Sequence, residues 1–305
     1  MLNGVDEPQP GAVSEPHSQG CECWRKGTPS LRPPPLFPSQ LTGHILTANK
    51  ALFLPEASDY IASSPNESVA LCQPVSKSTF VLGLQKSAKE NRLSINVGIH
   101  EPTDPPSNRI KNTLIWIDKD GEIAHRYQKL HLFDIDLRPD GPHMKESDSI
   151  ESGNEIVEPY AAGDDLGKIG SLICFDLRFP EPALALRRKG AEVLLYPSAF
   201  TVPTGHLHWE ILLRARAIET QSWVIAAGQC GRHNAKRVSY GDTIAIDPNG
   251  RIMDRLDRVE KSDVDKEKEH AREPQLLVVD LEMDKVTEVR RTIPLIRRTD
   301  VYPEI

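Results

Sequence analysis

From Ala51 onward, apolar residues gather into short blocks separated by polar and turn-forming stretches. Ala51–Leu54 (ALFL), Leu93–Ile99 (LSINVGI), Thr113–Ile117 (TLIWI), Ile169–Cys174 (IGSLIC), Val193–Tyr196 (VLLY), Trp223–Ala227 (WVIAA), Thr243–Ile246 and Leu276–Val279 (LLVV) have the length and the β-branched content of strands. Several are apolar at consecutive positions and are separated by helical stretches, so a sheet built from them is covered on at least one side. Pro182–Lys189, closed by Gly190, and Trp209–Thr220, with Ile211, Leu212, Ala215 and Ile218 on one stripe, carry the helical period. Thr113–Ile117 and Glu122–Tyr127 flank Asp118-Lys119-Asp120-Gly121, a hairpin signal that makes the sheet mixed. The expected class is α/β.

Before His44 the pattern disappears. Residues 1–43 hold eight prolines, Pro33-Pro34-Pro35 among them, and no apolar periodicity. Such a composition does not offset its ordering entropy, so a disordered segment 1–43 and one folded domain 44–305 are expected. Asp254–Glu273 reads as a charged, solvated loop or insertion. The first residues lack the basic and apolar regions of a secretory signal, and Asp6, Glu7 and Glu15 count against a transit peptide.

Composition narrows the partners. The formal net charge of −7 leaves no basic stripe for nucleic acid. No run of 18 apolar residues is present, so no membrane span is expected. Five cysteines (Cys21, Cys23, Cys72, Cys174 and Cys230) are scattered and odd in number, which suits free thiols in a reducing compartment, the cytoplasm. His125, His131, His206 and His208 do not fall at metal-ligand spacing, and neither a metal nor a cofactor is expected.

Candidate chemistry sits where apolar runs end. Cys174 closes IGSLIC and opens a polar turn containing Arg178; a nearby cation lowers a thiol's pKa and activates the thiolate. Lys129 follows the strand ending at Tyr127, and Glu56 follows ALFL and a proline. Singly, each has a plainer reading: a packed thiol, a surface charge, a cap. Together they supply a nucleophile, a cation for an oxyanion and a general base.

Leu52–Ser58 (LFLPEAS), Tyr127–Phe133 (YQKLHLF) and Ile173–Glu181 (ICFDLRFPE), in this order, resemble the signature segments of the nitrilase superfamily of carbon–nitrogen hydrolases. The resemblance runs from about residue 51 to the C-terminus. It implies a four-layer α-β-β-α sandwich, a homodimer, and an amidase acting on a small-molecule amide through a cysteine thioester. In that mechanism Glu56 is the base, Cys174 the nucleophile, and Lys129 with the Phe175 N–H meets the oxyanion. A second glutamate within a Glu-Ser pair corresponds to Glu146, with Asp136 and Glu151 as nearby rivals.

Gly190–Thr201, His208–Gln221 and Ala226–Thr243 resemble the branch that hydrolyses deaminated glutathione to 2-oxoglutarate and cysteinylglycine, a metabolite-repair reaction. Its carboxylates call for cationic partners: Arg178, Arg232 and Arg237, with His233 and Tyr240 as neutral donors and Thr201 on the pocket wall. Trp209 and Glu210 read equally well as packing at a helix start, and Cys230 as a buried bystander. The alternatives are an ω-amidase or N-carbamoyl amidase of the same superfamily, or a non-catalytic scaffold or inactive truncated variant. The chain departs from the family at its start, where the first strand and helix are expected to be lacking; losing a central strand predicts an unstable or weakly active polypeptide. A mitochondrial form from another start is also compatible with the family.

Overall fold

The computed structural model describes residues 51–303, apart from 137, 139–142, 164 and 265–273. The Pro-rich segment 1–43, including Cys21 and Cys23, lies outside the described residues, as does most of the expected loop beyond Val264. Strand β1 (Ala51–Phe53) leads to Glu56, followed by helices α1 (Pro65–Leu71) and α2 (Thr79–Asn91). The Ser64 and Ser78 hydroxyls accept N–H groups of the first turns, capping the two helices. Then come β2 (Ser94–Pro102), β3 (Ile110–Ile117) and β4 (Ile123–Gln128). β1 lies parallel to β2, while β2, β3 and β4 run antiparallel. The turn joining β3 to β4 is the one expected at Asp118–Gly121: the Gly121 N–H donates to the Asp118 carbonyl at 3.0 Å, with Gly121 at φ +86°. A ribbon of β5 (Asp134–Asp136) and β6 (His143–Lys145) follows, and β7 (Ile150–Glu151) runs alongside β3.

The second sheet is built from later chain. It comprises β8 (Tyr160–Ala161), β9 (Lys168–Ser171), β10 (Val193–Leu195) and β11 (Trp223–Ala226), with helix α3 (Pro180–Arg188) between β9 and β10 and α4 (Val202–Thr220) between β10 and β11. A ribbon of β12 (Cys230–Arg232) and β13 (Val238–Tyr240) precedes β14 (Ile244–Ile246) and β15 (Ile252–Arg255), which complete the sheet; α5 (Lys261–Val264) and α6 (Asp284–Thr292) end the described elements. β9, β10 and β11 are parallel and buried, as their unbroken apolar runs require.

Alternation along β3 sets the layers. Leu114 and Trp116 point into the large core shared with the second sheet, whereas Ile115 and Ile117 pack with Val81, Leu84 and Ala88 of α2. Ala183 and Leu186 of α3 and Trp209, Leu213 and Ala217 of α4 cover the other face of the second sheet. The outcome is the expected α-β-β-α order. Gly98 on β2 is needed where the layers converge: a Cβ there would lie 2.6 Å from Glu56 Cα and 2.9 Å from the Pro55 carbonyl oxygen.

Three expectations are corrected. α4 begins at Val202, well before Trp209, although Pro203 and Gly205 look like breakers. Pro203 falls in the first turn, where its missing N–H costs nothing, and Gly205 admits the Tyr240 ring, whose Cγ would lie 2.2 Å from a Cβ there. Leu276–Val279 forms no ladder, and Leu276 and Val278 are exposed. This segment and the edge of β1 away from β2 border a cavity of about 1090 Å³. Finally, the charged stretch from Asp254 is not simply a loop: Asp254 and Arg255 belong to β15, and Val259 is wholly buried.

Candidate active site

The ends of strands from both sheets meet at one place. Glu56 follows β1, Lys129 follows β4, and Cys174 lies just beyond β9. Cys174 opens a tight 3-10 turn, Cys174–Arg178, and has φ +47°, a left-handed conformation that is uncommon for a residue with a side chain. The turn is pinned from within by Asp176, which has no exposure. One of its oxygens accepts the Ile173 N–H at 2.9 Å and the Tyr127 hydroxyl at 2.6 Å; the other accepts the His131 N–H at 2.9 Å and faces His131 Nδ1 at 2.8 Å. The Cys174 N–H donates to the Pro197 carbonyl at 3.0 Å, tying the elbow to the end of β10.

Lys129 is buried between two carboxylates. Its Nζ donates to Glu56 Oε1 at 2.9 Å and to the two Glu146 oxygens at 3.0 and 2.9 Å. Asn112 bridges the same pair, its Nδ2 donating to Glu56 Oε1 at 2.8 Å and to Glu146 Oε1 at 3.3 Å. Backbone N–H groups add to these bonds: Ala199 donates to Glu56 Oε2 at 2.8 Å, and Phe133 to Glu146 Oε2 at 2.7 Å. The Cys174 side chain faces the same cleft as the Glu56 carboxylate and lies within its electrostatic reach.

The electrostatics follow from this packing. Burial by itself would raise the Glu56 carboxyl, but the Lys129 charge and hydrogen bonds from Lys129, Asn112 and Cys174 hold it below its usual range. Burial would lower Lys129, yet Glu146 and Glu56 keep it well above the ordinary lysine value. For Cys174, burial and then the Glu56 charge push the thiol up, more than Lys129 pulls it down. The resting site therefore holds a neutral thiol beside a carboxylate that can take its proton.

Glu56, Lys129, Glu146 and Cys174 open onto a cleft of about 560 Å³ that Phe175, Arg178, Thr201 and Arg237 also line. Arg178 donates to His208 Nδ1 at 2.9 Å, and Arg237 to the Ala199 carbonyl at 2.6 Å. Arg232, His233 and Tyr240 do not line this cleft. Arg232 donates to the Val264 carbonyl at 3.0 Å, and Tyr240 stacks edge-on to His206 beside Gly205. His233 is half-buried and its imidazole is pushed down to about 4, by desolvation and then by Arg237. Asp136 is exposed beside Arg138, and Glu151 is not among the cleft residues. Trp209 is buried, its Nε1 donating to the Asp242 carbonyl at 2.9 Å, and Glu210 pairs with Arg255. Among the described residues, no His, Cys, Asp and Glu cluster suits a metal ion.

Sequence reasoning missed Asn112 and Asp176. Asn112 leaves a signal, because it interrupts an apolar strand on the face that carries Leu114 and Trp116. Asp176 leaves none beyond its place in ICFDLRFPE.

The family pattern described as carbon-nitrogen hydrolase matches residues 49–291, and the chain belongs to that family, within the nitrilase superfamily. It is a hydrolase acting on carbon–nitrogen bonds. It is 42% identical over 257 residues to a "Probable hydrolase nit2" of Schizosaccharomyces pombe, covering 84% of this chain and 88% of that protein. It is 38% identical over 255 residues to the human "Deaminated glutathione amidase", covering 82% and 72%. Among solved structures, the NitFhit protein of Caenorhabditis elegans superposes with a TM-score of 0.70 at 34% identity, covering 83% of this chain and 58% of that one. Nit3 of Saccharomyces cerevisiae superposes with a TM-score of 0.65 at 28% identity, covering 82% of each chain. No helix among the described residues is long and apolar enough to cross a membrane.

Replacing Lys129 by methionine leaves the buried Glu56 and the half-buried Glu146 without their cation. Breaking a buried pair in this way costs about 3–5 kcal/mol. Lys129→Met is expected to lower urea stability by that order and to abolish turnover, while Cys174→Ala abolishes turnover and stays within about 1 kcal/mol of the native chain, since it removes one neutral group. Equal stability for Lys129→Met and the native chain contradicts the ion-pair assignment.

Proposed function

We propose that the chain hydrolyses deaminated glutathione to 2-oxoglutarate and cysteinylglycine, with Cys174 carrying a 2-oxoglutaryl thioester. The observation behind this reading is a thiol, two carboxylates and an ammonium gathered at one cleft, with the ammonium bonded to both carboxylates. As Cys174 Sγ attacks the amide carbonyl carbon, its proton passes to Glu56. Lys129 Nζ and the Phe175 N–H meet the negative charge that develops on the carbonyl oxygen. The carbon–nitrogen bond then breaks, and Glu56 returns the proton to the departing amine. Water attacks the thioester and gives a proton to Glu56; 2-oxoglutarate leaves, and Glu56 reprotonates the sulfur. Glu146 keeps Lys129 charged and aimed throughout. Arg178 and Arg237, which line the cleft, are assigned to substrate carboxylates, with Thr201 beside them.

The substrate assignment draws on the relatives that carry the name deaminated glutathione amidase. Purified chain is expected to release 2-oxoglutarate from this substrate, and Cys174→Ala to release none. Cleavage of an ω-amide of a keto acid, or of an N-carbamoyl compound, with no action on deaminated glutathione would transfer the assignment to that alternative. No cleavage of any amide by a folded chain would favour the non-catalytic reading.

The reading includes a homodimer and a cytoplasmic, metabolite-repair role. Leu207, Ile211 and Ile218 of α4 are exposed along one stripe of the helix, with Ile293, Leu295 and Ile296 exposed near the C-terminus, an apolar surface suited to a second copy. Cys72 and Cys174 are free thiols, which suits a reducing compartment. Sedimentation is expected to give a dimer for the native chain and a monomer for Ile211→Asp, and cell fractionation to place the protein in the cytosol; a native monomer or an organellar protein would contradict these parts.

A further inference from the structure

The cleft wall beside Glu56 carries a polar group that the hydrolytic steps do not use. His100 on β2 is paired directly with Asn112 on β3. Side chains at such paired positions share a face, with Cβ atoms about 5 Å apart. His100 thus neighbours the amide that holds Glu56 and Glu146. Asp59, three residues beyond Glu56, fixes it from behind: one carboxylate oxygen accepts the His100 backbone N–H at 2.8 Å, and the other lies 3.0 Å from Nδ1. Tyr60 stacks on the imidazole, with centroids 4.3 Å apart and planes 19° from parallel, and its own hydroxyl donates to the Ser68 carbonyl at 2.8 Å.

The ring is therefore held in place and its Nδ1 is committed to Asp59. Nε2 has no hydrogen-bond partner among the described residues, and both His100 and Tyr60 line the cleft of Cys174. A ring that served packing alone needs no carboxylate behind it, nor an open nitrogen in front.

Reaction chemistry says which part of a substrate this nitrogen meets. Glu56 must deliver a proton to the leaving nitrogen, so the leaving group lies on the Glu56 side of Cys174. His100 is on that side, whereas Arg178 belongs to the turn that carries the nucleophile. An extended dipeptide puts its terminal carboxylate about 7 Å from the scissile nitrogen, a span that fits a ring one cross-strand neighbour away from Asn112. We infer that His100, backed by Asp59, binds the terminal carboxylate of the leaving cysteinylglycine and so selects substrates by their leaving group. In that complex Nδ1 faces Asp59 and Nε2 donates to the substrate carboxylate. The inference rests on the substrate proposed above.

The test compares deaminated glutathione with its analogue in which the glycine carboxylate is a carboxamide; both acylate Cys174 with the same group. The native enzyme is expected to prefer the acid by about ten- to a hundredfold in kcat/KM, the range for a hydrogen bond to a charged group, with the difference in KM. His100→Gln should lose that factor on the acid and stay within about twofold of native on the carboxamide; Asp59→Asn should lose part of it. Equal losses on both substrates, or none on either, overturn the inference while leaving the proposed function intact. Equal kcat/KM for the two substrates in the native enzyme overturns it without recourse to a variant. If native enzyme cleaves neither, the proposed function falls and this inference with it.

Discussion

Lys129 brings one positive charge into a space that already holds two carboxylates, and the rest of the site is organised around containing that imbalance. In a buried setting these charges interact far more strongly than in water, and an unmatched one is costly. The hydrogen bonds from Asn112, Ala199 and Phe133 occupy the carboxylate oxygens that Lys129 does not satisfy alone. Gly98 lets the Glu56 backbone approach β2 closely enough to join the cluster. A further negative charge, such as a resting thiolate, is disfavoured beside two carboxylates. In the proposed reaction Cys174 therefore waits as a thiol, and its proton moves only when attack on a carbonyl passes negative charge to an oxygen that Lys129 can face.

The two sheets contribute different halves of this arrangement. The first sheet supplies Glu56, Asn112 and Lys129, and the second supplies Cys174 and the Ala199 N–H. Their packing through Leu114, Trp116 and Tyr127 sets how Glu56 and Cys174 face one another. Asp176 carries the same join further, because it binds both the Tyr127 hydroxyl of β4 and the backbone N–H of Ile173, at the start of the Cys174 turn. Cys174 can hold its left-handed backbone because the surrounding bonds over-determine it.

How much of this was legible in the sequence depends on what each residue meets. The buried strands were readable because an apolar block needs no partner to be recognised as buried. α4 hid its first turns behind Pro203 and Gly205, whose compatibility with a helix depends on position and on a ring from another strand. Leu276–Val279 shows the reverse: apolar composition without a neighbouring strand does not make a ladder. Glu56, Lys129 and Cys174 stood out at strand ends, but their mutual contact follows from sheet packing that no spacing encodes. Arg237 reaches the cleft from the turn between β12 and β13, while Arg232, His233 and Tyr240, close to it in the chain, do not.

The central claim is that Cys174 rests as a thiol next to an ionised Glu56. Thiolate absorbance in the ultraviolet, recorded against pH as the native chain minus Cys174→Ser, measures this directly. The account predicts no Cys174 step at or below the ordinary thiol range, because burial and the Glu56 charge both raise it. A step near or below neutrality, as from a preformed thiolate–cation pair, would contradict it.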